Sequence, residues 1–285
     1  MNEYVIFTDS GCDLSAATLN KWDVRARSLT FAFDGESTQY ANDEMSSAEF
    51  YNHMRNGKCA MTSAVNPDTF LSAFEAELKE GRDILYLGFS SALSTTYNSA
   101  CIAAAELSEQ YPDRKILTVD SLSASAGQGM LVYLTVLQQK GATIEEAAQF
   151  AQCARDRICQ WFTVDTLTYL KRGGRVSAAT AIVGNMLDLR PVLHVSPEGK
   201  LESMSKVRGR KASIKALAEK VASEAVADSP VFISHADALA DAKLLAQQIQ
   251  DKCGLVTQII TDVGPVIGAH AGPGTLAVFF VGEHR

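Results

Sequence analysis

Short apolar runs and helical stripes alternate along the first half of the chain. Residues 4–8 form an apolar run that ends in Asp9-Ser10, and residues 84–89 and 116–119 form two more. Runs this short read as buried strands rather than helices. Between them Asn66-Pro67-Asp68 begins a helix, with Asn66 as N-cap and Pro67 at the first helical position. Phe70, Leu71, Phe74 and Leu78 recur at helical spacing on its apolar face, and Gly81 ends it. An Ala-rich stretch over 99–107 predicts another helix, and a further one runs from Asp120-Ser121 through Leu137. Strand, polar loop and helix in repetition predict a parallel sheet with helices on its faces.

The texture changes at Trp161. A strand over 161–164 leads to a short helix ending in Lys171-Arg172-Gly173-Gly174-Arg175, then to an apolar helix over 178–189. Residues 192–195 and 200–207 read as a hairpin around Ser196-Pro197-Glu198-Gly199. Helices over 211–226 and 239–252 alternate with strands over 231–235, 256–261 and 276–281. The expected fold is therefore α/β in two lobes. Residues 1–160 carry a mostly parallel sheet flanked by helices, and residues 161–285 a mixed α+β sheet with helices. A chain of 285 residues is long enough for two such lobes.

Composition narrows the function. Apolar residues make up 47% and charged residues 21%, as in a folded globular chain. The net charge of -7 argues against nucleic-acid binding, which needs a basic face. The start MNEYVIFTDS lacks the basic region of a signal peptide, and no apolar run approaches the roughly 20 residues that span a bilayer. The expectation is a cytoplasmic protein with no stable membrane insertion. Cys12, Cys59, Cys101, Cys153, Cys159 and Cys253 form no C-x-x-C pair, which predicts reduced thiols rather than a redox or metal site.

In open parallel sheets, ligands bind beyond the carboxyl ends of the strands. Thr8-Asp9-Ser10, the run Ser90 to Thr96, and Asp120-Ser121 occupy those positions, and Thr62-Ser63 precedes the helix capped by Asn66. Any single hydroxyl there is explained as an N-cap. Five in one run, Ser90, Ser91, Ser94, Thr95 and Thr96, exceed what one cap requires. Hydroxyls beside helix N-termini, with no cation in these loops, suit one carboxylate better than a triphosphate. A Gly/Pro-rich turn over 264–274 carries His270, either a satisfied histidine or a placed one. Enzyme signatures are weak. Gly88-Phe89-Ser90-Ser91-Ala92 lacks the second Gly of a nucleophile elbow, and neither a G-x-G-x-x-G after a strand nor a P-loop occurs. His53, His194, His235, His270 and His284 do not take zinc-ligand spacing. An acyl hydrolase or transferase built on Ser94 and His270 is the alternative, since such pairs are recognised by geometry rather than sequence order.

Eight segments in order resemble the DegV family of fatty-acid-binding proteins. They are Thr8-Asp9-Ser10 with Asp13-Leu14; Thr62-Ser63 with Pro67; Ser90-Ser91-x-Leu93-Ser94-x-Thr96-Tyr97; Val119-Asp120-Ser121; Leu170-Lys171-Arg172-Gly173-Gly174-Arg175; Arg190-Pro191-Val192-Leu193; Lys206-Val207-Arg208-Gly209-Arg210; and His270-x-Gly272-Pro273-Gly274-Thr275. The resemblance implies a two-lobed carrier for a long-chain fatty acid such as palmitate, similar to the binding subunit of bacterial fatty acid kinase. It implies no catalytic residue, cofactor or metal in this chain. A separate catalytic subunit, resembling dihydroxyacetone kinase, would phosphorylate the bound acid and feed phospholipid metabolism. By motif position Thr62 and Ser94 should hold the carboxylate, with Ser63, Thr95 and His270 beside them. Arg172, Arg175, Arg208 and Arg210, with Lys171, Lys206 and Lys211, form two basic clusters that could dock the kinase. The alternative for such clusters is solvated surface charge. Met186, Leu187 and Leu189 are candidates to line the acyl chain. Two departures stand out: Thr95 where the family usually has Gly, and Ala64-Val65 where it often has Gln and then Pro.

Overall fold

A computed structural model describes residues 3–176 and 188–285. The first elements are β1 (Tyr4–Asp9), α1 (Ala16–Lys21), β2 (Val24–Arg27), β3 (Thr30–Phe33), β4 (Tyr40–Ala41), α2 (Ser47–Arg55) and β5 (Ala60–Ser63). Then come α3 (Pro67–Lys79), β6 (Asp83–Gly88), α4 (Thr96–Gln110), β7 (Ile116–Asp120), α5 (Ala126–Gln138) and α6 (Ile144–Arg155). The rest is β8 (Ile158–Thr163), α7 (Thr168–Arg172), β9 (Leu189–Val195), β10 (Leu201–Arg208), α8 (Arg210–Glu224), β11 (Val231–His235), α9 (Leu239–Cys253), β12 (Thr257–Asp262), α10 (Pro265–Ala271) and β13 (Leu276–Val281).

The apolar runs of the first half become an all-parallel sheet ordered β2-β1-β6-β7. The second half forms a six-stranded sheet ordered β10-β9-β8-β13-β11-β12, in which only the β11–β12 pairing is parallel. The two-sheet α/β reading therefore holds. A third sheet, β4-β3-β5, is antiparallel and has no counterpart in the sequence reading, which assigned nothing between residues 11 and 61. Its strands are two to four residues long, too short for a period to register. Helix α6 likewise has no counterpart among the expected elements, although Thr143 and Glu146 form a full capping box at its start.

α5 joins the two larger sheets. It packs against β6 on one side and against β8, β11 and β13 on the other. One core accordingly runs through Ile6, Leu85 and Leu87 of the parallel sheet to Phe162, Phe232 and Phe279 of the mixed one. This explains the glycine at position 127 inside α5. A Cβ there would lie 2.5 Å from Gln160 Oε1 and 2.8 Å from the Phe279 ring, so only glycine lets the helix sit this close. A second core, rich in aromatics, fills the space between the parallel and antiparallel sheets with Phe7, Phe31, Phe50, Phe74 and Tyr86. The outer face of the mixed sheet is covered by α8 and α9.

Two expectations need correction. The Gly/Pro-rich segment 264–274 is not an open turn, because Pro265–Ala271 is helical. Gly264 at the N-cap and Pro265 at the first helical position start that helix, and Val266 and Ala269 bury its inner face. The apolar helix placed over 178–189 falls mainly outside the described residues, as do Met186 and Leu187, whereas Leu189 begins β9. All six cysteines are free.

Candidate functional site

Most of the hydroxyl-rich loops turn out to be structural. Asp9 is fully buried at the end of β1, where it accepts from Tyr86 Oη at 2.7 Å and from the N–H groups of Phe89 and Gly11 at 2.9 Å. Burial raises its pKa, and these hydrogen bonds oppose the rise. Asp9 therefore fixes the turn after β6. Ser10 Oγ accepts from the Leu29 N–H, and Asp120 accepts from the N–H groups of Ser91 and Leu122. Ser90 Oγ donates to the Gly199 carbonyl at 3.0 Å, which ties this loop to the β9–β10 hairpin.

Ser94 is different. Its Oγ lies 2.9 Å from Thr96 Oγ1 and accepts the Thr96 N–H at 3.2 Å. Thr96, buried at the start of α4, also accepts the Val65 N–H at 3.3 Å. One hydroxyl thus clasps the loop after β6 to the loop after β5. On β5, Thr62 Oγ1 sits 2.8 Å from His270 Nε2 of α10. Burial first, and then the charge of Arg175, lowers the His270 pKa from 6.5 to about 4, so the imidazole is neutral at pH 7. Gly173 makes room for it, since a Cβ at that position would meet His270 Nδ1 at 2.1 Å. Arg175 donates from Nε to the Leu93 carbonyl at 3.1 Å.

These groups face one cavity of about 480 Å³. Its walls come from Leu29, Phe89, Phe162, Val195, Leu201, Val266 and Phe279, among other apolar residues. Thr62, Ser94, Thr95, His270 and Arg175 supply much of its polar lining. A volume of this size within an apolar wall is that of a small-molecule site. Ser63 is not among the lining residues. Residues alternate faces along β5, so Thr62 turns inward while Ser63 is exposed. Thr95 has φ -78°, an ordinary helical value, so a residue with a side chain fits there without strain.

Arg175 is the residue whose place the sequence did not reveal. Its sequence neighbours Lys171 and Arg172 make it read as a surface cation, yet it lines the cavity as its one permanent cation among the described residues. Burial lowers its pKa. Arg172 is exposed, 5.8 Å from the Tyr169 ring and in contact with Cys59 Sγ. Arg208 is exposed, whereas Arg210 pairs with Asp241 at 2.9 Å and lies 3.7 Å from Asp165. The Ser94–His270 dyad does not form. Ser94 pairs with Thr96, and His270 Nε2 pairs with Thr62.

A second polar group, Ser125 and Ser234, to which no sequence motif pointed, lines the same cavity. Ser125 Oγ lies 2.5 Å from Asp13 Oδ2 and 2.9 Å from Ser234 Oγ, and Asp13 Oδ1 accepts the Gly264 N–H at 3.0 Å. Asp13 is buried. Burial raises its pKa from 3.8 to about 7, the hydrogen bonds from Ser125 and Gly264 oppose this, and Asp262 adds to it. Among the described residues no helix is long and apolar enough to cross a membrane, and no cluster of His, Cys, Asp or Glu could hold a metal ion.

A family model described as "Uncharacterised protein, DegV family" matches residues 3–283. A DegV domain-containing protein of Clostridium perfringens is 42% identical, across 100% of this chain and 99% of its own. Among solved structures, a DegV lipid-binding protein from Thermotoga maritima superposes with a TM-score of 0.87 at 30% identity, covering 99% of both chains. A DegV family protein from Thermus thermophilus, described for its fatty acid binding, superposes with a TM-score of 0.88 at 29% identity, covering 99% of this chain and 100% of that one.

Proposed function

The chain belongs to the DegV family, and from that premise we propose that it binds one long-chain fatty acid, such as palmitate, non-covalently in the cavity. The observation that carries this reading is the cavity itself, largely apolar, with Thr62, Ser94, His270 and Arg175 in its wall. Each buried methylene contributes about 0.8 kcal/mol, so a chain of about 14 gives roughly 11 kcal/mol before binding costs. The carboxylate must be hydrogen-bonded, or its burial would cancel much of that. Ser94 Oγ accepts two bonds from Thr96 when the Thr96 hydroxyl donates, which leaves its own proton for the ligand. His270 in its Nε2–H form does the same for Thr62. Arg175 supplies the opposite charge. In this reading residues 1–160 bring the head-group hydroxyls and residues 161–285 close over the acyl chain.

The carrier then presents the carboxylate, in the cytoplasm, to a separate dihydroxyacetone-kinase-like subunit that makes the acyl phosphate. Arg172 and Arg208, both exposed, are the better candidates for docking it, because Arg210 is already ion-paired. Native mass spectrometry followed by denaturing extraction tests the binding. One fatty acid per chain is expected, lost or much weakened in a Thr62→Ala, Ser94→Ala double variant. A protein that is empty and refuses added fatty acid would refute the reading. For the partner, Arg208→Glu should weaken acyl phosphate formation with the kinase subunit while fatty acid binding persists, and unchanged coupling would remove Arg208 from the docking surface.

A further inference from the structure

Ser125 gives up two local preferences. It stands at the N-cap of α5, yet its hydroxyl makes no capping bond to the helix. Its backbone, at φ 54° and ψ -145°, lies in a region that residues with side chains rarely adopt and that is retained where the surroundings enforce it. Both departures direct the hydroxyl to Asp13 and Ser234, beside a cavity that is otherwise largely apolar. The group is also set apart from the head-group cluster. Gly264, which donates to Asp13, precedes α10, and His270 lies six residues further along. At 1.5 Å rise per residue, about 9 Å of helix axis separates Gly264, which touches Asp13, from His270.

We propose that Ser125 and Ser234, backed by Asp13, form a second subsite that accepts an oxygen substituent, a hydroxyl or oxo group, in the middle of the acyl chain. This rests on the fatty-acid reading and refines its ligand class to include oxygenated long-chain acids. The proton arrangement fits such a group. With Asp13 ionised, Ser125 donates to Asp13 and Ser234 donates to Ser125, so Ser234 keeps a lone pair for a ligand hydroxyl. With Asp13 protonated, the chain of donors runs the other way and the Ser234 proton is free for a ligand oxygen. Either way the substituent finds a partner, whereas elsewhere along an apolar wall its burial would go uncompensated.

The test is equilibrium binding of octadecanoic acid and a positional series of hydroxyoctadecanoic acids, competed against a fluorescent fatty acid. Wild type, Ser234→Ala and Ser125→Gly are compared, the last chosen because glycine accepts the backbone of residue 125. Mid-chain isomers should bind within about threefold of the unsubstituted acid, and isomers hydroxylated near the methyl end roughly 10- to 100-fold more weakly. Each variant should weaken the mid-chain isomer about tenfold more than it weakens octadecanoic acid. A uniform penalty at all positions overturns the subsite, as do variants that weaken both acids equally, which is what a purely structural role gives. If neither variant folds, the wild-type series alone decides. Failure of every acid to bind defeats the subsite and the fatty-acid reading together, whereas octadecanoic acid bound without positional preference defeats only the subsite.

Discussion

Asp13, bonded at the start of α10, and His270, in its last turn, have opposite ionisation problems, and their effects on stability run against each other. The folded Asp13 carboxyl holds its proton up to about pH 7, against an ordinary value of 3.8, chiefly because it is buried. The folded state therefore binds more protons than the unfolded one between these values. Stability falls as pH rises through that window, by about 4 kcal/mol for this group alone. His270 is the reverse. Its pKa drops from 6.5 to about 4, so stability is lost as pH falls through that window, by about 3 kcal/mol. Asp13→Asn keeps the shape and an acceptor for the Gly264 N–H while removing the charge. Relative to wild type, the Asn variant should gain about 4 kcal/mol between pH 4 and 7. His270→Gln should gain about 3 kcal/mol relative to wild type as pH falls from 6.5 to 4. Urea unfolding at a series of pH values, with each variant subtracted from wild type, measures both slopes. An Asp13→Asn curve parallel to wild type would show that the carboxyl titrates normally, and would refute the buried-acid argument.

The other predictions concern packing. Gly127→Ala drives a methyl into Gln160 and Phe279 between the two larger sheets, and should lower stability by about 1–3 kcal/mol in urea unfolding. Gly173→Ala must displace the His270 imidazole and break its bond to Thr62. Fatty acid affinity, read by competition, should drop about tenfold with a smaller effect on unfolding. Thr95→Gly restores the residue usual in the family, but φ is already helical at this position. It should destabilise by up to about 1 kcal/mol in urea unfolding rather than stabilise.

What the sequence determined by itself was whatever depends on near neighbours. The N-cap at Asn66 and the apolar stripe from Phe70 to Leu78 specify α3 without reference to the rest of the chain. The short β-rich runs of β1, β6 and β7 likewise identify themselves, and their alternation with helices implies a parallel sheet. The hydroxyl run that holds Ser94 stands out on residue pattern alone, whereas Thr62, Ser94 and His270 were tied to one carboxylate only by the resemblance to the DegV family. Tertiary structure decided which hydroxyls face the cavity. Asp9 and Ser90 sit in equally suggestive loops, but they are consumed by hydrogen bonds to Phe89 and Gly199. Thr62 meets His270 across 208 positions and Gly264 meets Asp13 across 251, distances over which no periodicity carries information. Arg175 reads as one more surface cation until the chain folds it beside His270. The reason is that propensity and amphipathic pattern act over a few residues, whereas a buried site is made from side chains on separate elements. Their meeting depends on how the sheets pack around α5.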